Sequence, residues 1–287
     1  MPRCVFVTDL HGHRDRYEKL FALVAVEQPS AVFLGGDLQP TGSWYAKKPE
    51  EGCGDFVREY LWPAFERLRE NLGPSYPAVF LIPGNDDPSS EEPSFLEAAS
   101  RGAWLYIQGR KGRLGRFQVY GYAYVPPTPF TLKDWERYDV SRFVDPGCIS
   151  PEEGRRTVPF DANKVKWSTI QQDLAALAND DVLADAIFLM HAPPYATPLD
   201  RAALDGKQCD HVPLDVHVGS IAVRRFIEQR QPLLTLHGHV HESTRLTGEW
   251  KTRIGRTICI NGAHDGRELA VVRFDPESPA GATRELV

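Results

Sequence analysis

The stretch PLLTLHGHVH, residues 232–241, joins an apolar run to three histidines within five positions. Four other stretches share this design, in which a short run rich in Val, Ile, Leu and Phe ends in polar residues: CVFVTD (4–9), AVFLGGD (31–37), AVFLIPGND (78–86) and AIFLMHAPP (186–194). Apolar runs of this length are typical of strands that are buried on both faces.

Helical patterns separate these predicted strands. One helix face is indicated by apolar residues spaced i, i+3, i+4 and i+7, namely Tyr17, Leu20, Phe21 and Val24. STIQ (168–171) is typical of a capping box, and Ser220 is a predicted N-cap. The alternation of strand and helix predicts an α/β fold with largely parallel pairing. Near the C-terminus, TRLTGEW, RTICING and ELAVVRFD follow one another without a helical pattern, which predicts an antiparallel meander.

The composition is that of a globular protein with a sizeable core. The chain has 287 residues, of which 42% are hydrophobic and 25% are charged, and its net charge is −6. An acidic chain is an unfavourable partner for nucleic acid or a membrane surface. The five cysteines are widely spaced, without a C-x-x-C pair, and no apolar run is long enough for a signal peptide or a membrane span. We therefore predict a reduced, cytoplasmic protein.

We expect a single domain over residues 1–287. The segment 126–165 is rich in proline and aromatic residues and shows no regular period. A loop of this length inside a compact domain is more often functional than not, so it is interpreted as a lid or substrate-specificity insert. A poorly ordered surface excursion is the alternative.

Potential metal ligands follow all five predicted strands. They are Asp9 and His11, then Asp37, then Asn85 with Asp86 and Asp87, then His191, and finally His239 and His241. Ligand sites of α/β sheets lie at the carboxyl ends of the strands, so we expect these side chains to converge. Carboxylates and imidazoles without cysteine suit Mn, Fe, Zn or Ni. The set is too large for one catalytic ion, which keeps about three protein ligands, and it favours two ions that share a carboxylate.

Each of these residue types also has an ordinary structural role. An aspartate after a strand is usually a turn former, and a single histidine is usually a hydrogen-bonded core or surface residue. We assign that structural role to His211, His237 and His264. Five ligand clusters at five strand ends favour a metal centre for the others.

Five motifs, in this order, resemble those of the calcineurin-like metallophosphoesterase superfamily: D-x-H (Asp9, His11), G-D (Asp37), G-N-D (Asn85, Asp86), H-x-P-P (His191) and G-H-x-H (His239, His241). HAPPYATPLD and GHVHES are similar to the smaller, phosphodiesterase-like branch. The resemblance implies a four-layer α/β/β/α sandwich of two mixed sheets flanked by helices. It also implies two divalent metal ions, for which Mn is our first expectation and Fe, Zn or Ni are alternatives.

The resemblance further implies a role for each ligand. Asp9, His11 and His241 would hold one ion, Asn85, His191 and His239 the other, and Asp37 would bridge them. The implied activity is hydrolysis of a small phosphate ester by a hydroxide that bridges the metals, with phosphodiesters as the expected substrates. Phosphomonoester hydrolysis, a nuclease and a non-catalytic scaffold on the same fold are the alternatives, and the oligomeric state is left open.

One position departs from the family pattern. The third motif usually reads G-N-H-[DE], and its histidine is thought to assist the leaving group, whereas Asp86 occupies this catalytic position here. A carboxylate beside two cations would stay ionised and would be a poor proton donor. This favours diesters with good leaving groups, and His13 and His217 are candidates for a replacement in the substrate pocket.

Overall fold

Two six-stranded mixed sheets form the centre of the computed structural model, which describes residues 4–42 and 55–287. The first sheet has the order β14-β13-β1-β2-β3-β4. Its strands are β1 (Cys4–Val7), β2 (Ala31–Leu34), β3 (Ala78–Leu81), β4 (Leu105–Tyr106), β13 (Ala270–Phe274) and β14 (Thr283–Leu286). β1 to β4 are parallel, so the chain leaves β1, β2 and β3 at the same edge.

The second sheet has the order β11-β12-β10-β7-β6-β5. Its strands are β5 (Lys111–Leu114), β6 (Phe117–Tyr122), β7 (Ala186–Met190), β10 (Leu234–His237), β11 (Lys251–Ile254) and β12 (Thr257–Asn261). The four central strands are parallel, and β5 and β11 are antiparallel at the two edges. A separate short hairpin contains β8 (Gln208–Cys209) and β9 (Val212–Pro213).

Helices cover the outer face of each sheet. They are α1 (Arg14–Glu27), α2 (Trp62–Leu72), α3 (Glu92–Ser100), α4 (Ala162–Trp167), α5 (Ile170–Ala178), α6 (Ile221–Arg230) and α7 (Ser243–Thr247). The predicted helix face of α1 is confirmed, since Tyr17, Leu20 and Val24 are buried. The predicted N-cap of α6 is also confirmed, because Ser220 accepts a bond from the Val223 amide. The capping box of α5 lies one residue later than predicted, between Thr169 and Gln172.

The burial pattern of β1 shows why its run is apolar on both faces. Val5 and Val7 pack with α1, α2 and α3, whereas Cys4 and Phe6 face the second sheet. The other face of the second sheet packs against α5 and α6. Because alternate residues of a strand point to opposite faces, such a strand contributes to two cores at once. The predicted four-layer α/β/β/α sandwich is confirmed.

The predicted C-terminal meander is wrong. The first four residues of TRLTGEW belong to the helix Ser243–Thr247, which ends where Gly248 adopts a φ of 78°. β11 and β12 do form an antiparallel pair, but β12 continues as a parallel neighbour of β10. β13 pairs with β1 in the other sheet.

The predicted insert, 126–165, has little regular structure, and buried polar contacts hold it together. Lys133 and Glu136 are both buried and form an ion pair. Glu136 also accepts a bond of 2.8 Å from the Thr128 amide, and the Lys133 ammonium group donates to the Thr128 carbonyl oxygen at 2.9 Å. Asp134 connects the insert to the first sheet's side by accepting from the Ser89 amide at 2.8 Å.

Cys4, Cys148, Cys209 and Cys259 are free thiols, and Cys53 lies outside the described residues. Within the described ranges, no helix combines the length and the apolar character needed to cross a membrane.

Candidate active site

The backbone bends sharply where the predicted ligands follow their strands. Asp9, His11, Asp37 and His239 have φ angles of 56°, 47°, 51° and 71°. Residues other than glycine rarely adopt positive φ, and such strained residues cluster at functional sites. These residues lie in three loops that follow β1, β2 and β10, and the bends bring their side chains together between the two sheets.

Four of these side chains form the first half of the centre. One donor atom from each of Asp9, His11, Asp37 and His241 lies within 4.8 Å of the others. His241 Nε2 lies 3.0 Å from Asp9 Oδ1 and 3.2 Å from His11 Nε2. His11 Nε2 is 3.8 Å from Asp37 Oδ2. These donors surround a volume in which one cation could contact all of them.

The second half lies on the other side of Asp37. His191 Nε2 is 3.3 Å from Asp37 Oδ2 and 3.1 Å from Asn85 Oδ1. The rings of His191 and His239 have their centroids 5.3 Å apart. Asp37 Oδ2 therefore lies near nitrogen atoms of both halves, which is the position of a carboxylate shared by two ions.

Hydrogen bonds from the surrounding protein orient the ligands. His191 Nδ1 contacts the Gly35 carbonyl oxygen at 2.8 Å, so Nε2 points into the centre. Asp9 accepts from Thr8 Oγ1 at 2.7 Å and from the His239 amide at 3.1 Å. Thr41 Oγ1 lies 2.9 Å from His11 Nδ1. Such outer partners fix ring orientation and ligand basicity in metal sites.

The electrostatic environment suits positive charge. Burial raises the pKa of Asp9, but the charges of His241 and His191 outweigh it and bring that pKa to about 2. Burial lowers the pKa of His191, yet Asp37 and Asp9 outweigh it and raise that pKa to about 9. Two buried carboxylates thus attract protons to the imidazoles around them, and a metal ion would supply the same positive charge.

His239 behaves differently from His191. Burial, assisted by the charge of His191, lowers the pKa of His239 to about 3. Its imidazole is therefore neutral, which is the form that binds metals. Carboxylate oxygens, an amide oxygen and imidazole nitrogens are donors that divalent Mn, Fe, Zn and Ni accept, so the residues present suit the two-metal centre that the motifs implied.

Asp87 is a central residue whose role the sequence reasoning missed. Its side chain is fully buried and accepts bonds from the backbone amides of Leu38, Gln39 and Gly84 at 2.8–3.1 Å. It thereby joins the loop that carries Asp37 to the loop that carries Asn85. The sequence signal is only a second aspartate after Asp86, and a turn former produces the same signal.

Close backbone contact explains the glycines of the motifs. A Cβ atom on Gly84 would lie 2.3 Å from Asp37 Oδ1, and one on Gly238 would lie 2.4 Å from Asp9 Oδ2. Only glycine leaves room for both carboxylates at these positions.

Two of the three remaining predicted site residues, Asp86 and His13, line the open side of the centre. Asp86 donates its amide to Asp37 Oδ1 at 2.8 Å, and its carboxylate lies 3.4 Å from His11 Nδ1. Asp86 and His13 both line a cavity of about 780 Å³ above the ligands, together with Arg16. His217 lies farther away, where its Nδ1 is 2.8 Å from Asp200 Oδ1.

The three histidines that we assigned structural roles lie apart from the ligands or on the rim. His237 is buried and bonds to the Ala192 carbonyl oxygen at 2.8 Å and to Thr235 Oγ1 at 2.7 Å. His211 is exposed. His264 pairs with Glu268 at 3.1 Å and lines the edge of the cavity.

Comparisons with known proteins agree with this geometry. The family model of the calcineurin-like phosphoesterases matches residues 2–243. No curated protein matches the chain. One crystal structure resembles it with a TM-score of 0.62 at 16% identity, covering 100% of this chain and 99% of that chain.

Two named structures are also similar. TT1561 of Thermus thermophilus gives a TM-score of 0.56 at 15% identity, covering 99% of this chain and 98% of that chain. A dimetal phosphatase from Danio rerio gives 0.50 at 14% identity, covering 94% and 92%. At such low identity, these structural likenesses establish the fold alone.

Proposed function

The chain belongs to the calcineurin-like phosphoesterase family, and from this premise we propose that it is a metal-dependent hydrolase that prefers phosphodiesters. The observation that carries the proposal is the convergence of Asp9, His11, Asp37 and His241, with donor atoms within 4.8 Å of one another. A scaffold without catalysis would have no need to keep four buried or half-buried ligands in this arrangement.

We assign the ligands as the motifs suggested. Asp9, His11 and His241 would hold one ion, Asn85, His191 and His239 the other, and Asp37 both. When bound, a pair of divalent cations, for which Mn is our first choice, supplies charge for the phosphoryl oxygens and activates water. The chain's own contribution is to fix the ligands through Asp87, Thr8 and the Gly35 carbonyl oxygen.

The preference for diesters rests on Asp86. Its side chain lines the cavity beside His11, and we infer from the family motif that the leaving group departs on this side. A carboxylate that two bound cations keep ionised only accepts hydrogen bonds, so Asp86 would not serve as the proton donor. Loss of a general acid slows departure of poor leaving groups by about 10²–10⁴-fold. His13 lines the same cavity and is the alternative donor, whereas His217 is held by Asp200.

The test compares two aryl esters with the same leaving group. Mn²⁺-loaded protein should hydrolyse bis(p-nitrophenyl) phosphate with a higher kcat/KM than p-nitrophenyl phosphate. Asp37→Ala should reduce this activity by at least about 100-fold, because the shared ligand is lost. Glu153→Lys, an exposed position in the insert that does not line the cavity, should retain it. Hydrolysis of neither ester by metal-loaded protein would refute the enzyme.

A second measurement examines Asp86 itself. Asp86→His should accelerate cleavage of a phenyl diester more than of a p-nitrophenyl diester, since only the poorer leaving group needs a proton. Equal effects on both esters would contradict the role given to Asp86. Faster cleavage of the monoester by the parent protein would instead favour a phosphomonoesterase.

A further inference from the structure

A second cavity, of about 380 Å³, opens beside the cavity that lies over the candidate ligands. The two cavities share Pro129, Phe130, His239 and Glu242 in their linings. Because His239 is one of the proposed ligands, a group attached to a phosphate at the metal centre could extend directly into this second cavity. We call it the side cavity.

The lining of the side cavity is mostly apolar, and its only basic side chains among the described residues are the imidazoles of His217 and His239. Phe130 and Phe143 are exposed aromatic residues at its walls, and Val140, Leu204 and Leu214 add aliphatic surface. Among the described residues, no lysine or arginine lines it, while its carboxylates are Asp139, Asp145, Asp215 and Glu242. Such a lining favours apolar groups and disfavours negative charge.

Hydrogen bonds fix the walls, which come from two separate segments. Asp139 of the insert accepts bonds from Ser220 Oγ at 2.5 Å and from the Ile221 amide at 2.7 Å, so the insert is attached to the start of α6. On the other wall, Asp215 accepts from the Tyr195 hydroxyl at 2.6 Å and from the His217 amide at 2.9 Å. The side cavity is therefore part of the folded architecture.

The carboxylate of Asp145 is available to repel a negatively charged substrate group. No hydrogen bond or ion pair occupies its carboxylate among the described residues, and burial together with Asp215 raises the pKa of Asp145. An additional negative group beside it would meet repulsion from both carboxylates without a compensating cation.

We propose that the side cavity binds the organic group of the substrate ester, and that Phe143 and Asp145 select an apolar group without negative charge. The inference rests on the proposed function, because the metal centre has to hold the phosphate. It names the substrate class as small phosphate esters of apolar, uncharged or cationic alcohols. It gives the insert a role in substrate selection.

Binding of phosphonates to the Mn²⁺-loaded protein tests this without requiring hydrolysis. Isothermal titration calorimetry would compare methylphosphonate, benzylphosphonate and 4-carboxybenzylphosphonate, each of which has a single organic group. Benzylphosphonate should bind roughly 10–100-fold more tightly than methylphosphonate, as expected for an apolar group in a hydrophobic pocket. The 4-carboxy group should weaken binding by about tenfold relative to benzylphosphonate, because two carboxylates face it.

Variants assign these differences to particular side chains. Phe143→Ala should reduce the benzyl-to-methyl affinity ratio, whereas Phe160→Ala, an exposed aromatic of the same insert outside both linings, should not. Asp145→Lys should abolish or reverse the penalty for the carboxy group, and Glu153→Lys should leave it unchanged.

Each outcome bears on one proposal or the other. Equal affinity for methyl- and benzylphosphonate, no binding of any phosphonate, or control variants that act like Phe143→Ala and Asp145→Lys would overturn the side-cavity assignment. The predicted order of binding in a protein that hydrolyses no ester would preserve the cavity and refute the proposed function. Ester hydrolysis by a protein that binds all the phosphonates equally would preserve the proposed function and refute the side-cavity assignment.

Discussion

Removal of the Asp87 carboxylate is the perturbation that most directly tests how the metal centre is built. Its oxygens accept bonds from the amides of Leu38, Gln39 and Gly84 at 2.8–3.1 Å, in a place without solvent access. In Asp87→Ala, all three buried amides would lose their acceptor at once. We therefore expect loss of stability and loss of metal affinity together.

The magnitude follows from these three bonds. A buried donor left without a partner costs about 1–3 kcal/mol. Three such donors, partly relieved by relaxation of the loops, give a loss of about 3–6 kcal/mol in the free energy of unfolding. Asp87→Asn keeps one oxygen and should lose less, since Leu38 and Gln39 bond to the same Oδ1 atom.

Urea denaturation of the metal-free protein would measure the stability, and calorimetric titration with Mn²⁺ would measure the affinity. Asp134→Ala is the matched control, because Asp134 is also buried and accepts from two backbone amides, those of Ser89 and Thr157. It should lose stability while Mn²⁺ affinity stays near that of the parent. An Asp87→Ala protein within about 1 kcal/mol of the parent, or with unchanged Mn²⁺ affinity, would refute the reasoning.

Three further predictions concern the glycine of the third motif and the buried pair of the insert. Gly84→Ala should lower the Mn²⁺ affinity measured by calorimetry at least about tenfold, because the new Cβ would lie 2.3 Å from Asp37 Oδ1. Gly109→Ala is the control and should leave that affinity unchanged, because no atom lies within 4 Å of its Cβ position. Lys133→Met should lower the free energy of unfolding, measured by urea denaturation, by about 3–5 kcal/mol, because Glu136 would be buried without its partner. The double variant Lys133→Met with Glu136→Leu should recover most of that loss. A single variant as stable as the parent would contradict this. Burial, opposed by Lys133, raises the pKa of Glu136 from 4.5 to about 7, so the folded state keeps a proton that the unfolded chain releases in this window. The contribution of Glu136 to stability should therefore fall by up to about 3 kcal/mol as pH rises from 4.5 to 7. In urea denaturation, the parent should lose stability relative to Glu136→Gln over this pH range, and a difference between the two proteins that does not change with pH would disprove the assignment.

Local sequence patterns predicted the parallel strands because these strands are apolar on both faces. Cys4 and Phe6 of β1 face one core while Val5 and Val7 face another, and the resulting unbroken apolar run is visible without any partner. The C-terminal strands were misassigned because their pairing is decided elsewhere. β12 has the composition of a meander strand, but the edge that does not pair with β11 pairs with β10 in parallel. β13 pairs with β1 in the other sheet. Tertiary contact, not local propensity, selects such partners.

The short helix over Ser243–Thr247 was missed for a different reason. Five residues give barely one and a half turns, so no period of 3.6 residues can be read from them. In the site, the ligand identities followed from short motifs, whereas the roles of Asp87 and Asp139 did not. Asp87 reaches the amides of Leu38 and Gln39, 48–49 residues away, and Asp139 reaches amides 82–83 residues away. Every residue except proline has a backbone amide, so the sequence gives no signal for such a partner.

The strained ligand loops hold their geometry through one another. Each residue with positive φ costs on the order of 1–3 kcal/mol, so the surrounding contacts have to over-determine the bend. The Asp9 amide donates to the Gly36 carbonyl oxygen at 2.9 Å and the His11 amide to that of Asp37 at 2.8 Å, which extends the pairing of β1 with β2 beyond the ends of both strands.

The second sheet is connected to this unit at the same level. His191 Nδ1 lies 2.8 Å from the Gly35 carbonyl oxygen, and the Gly238 amide donates to the His191 carbonyl oxygen at 3.0 Å. The two halves of the proposed metal centre therefore share one hydrogen-bonded framework that spans both sheets. A change that shifts the sheets relative to each other should weaken both halves together, because Asp37 belongs to the first sheet while its neighbour His191 belongs to the second.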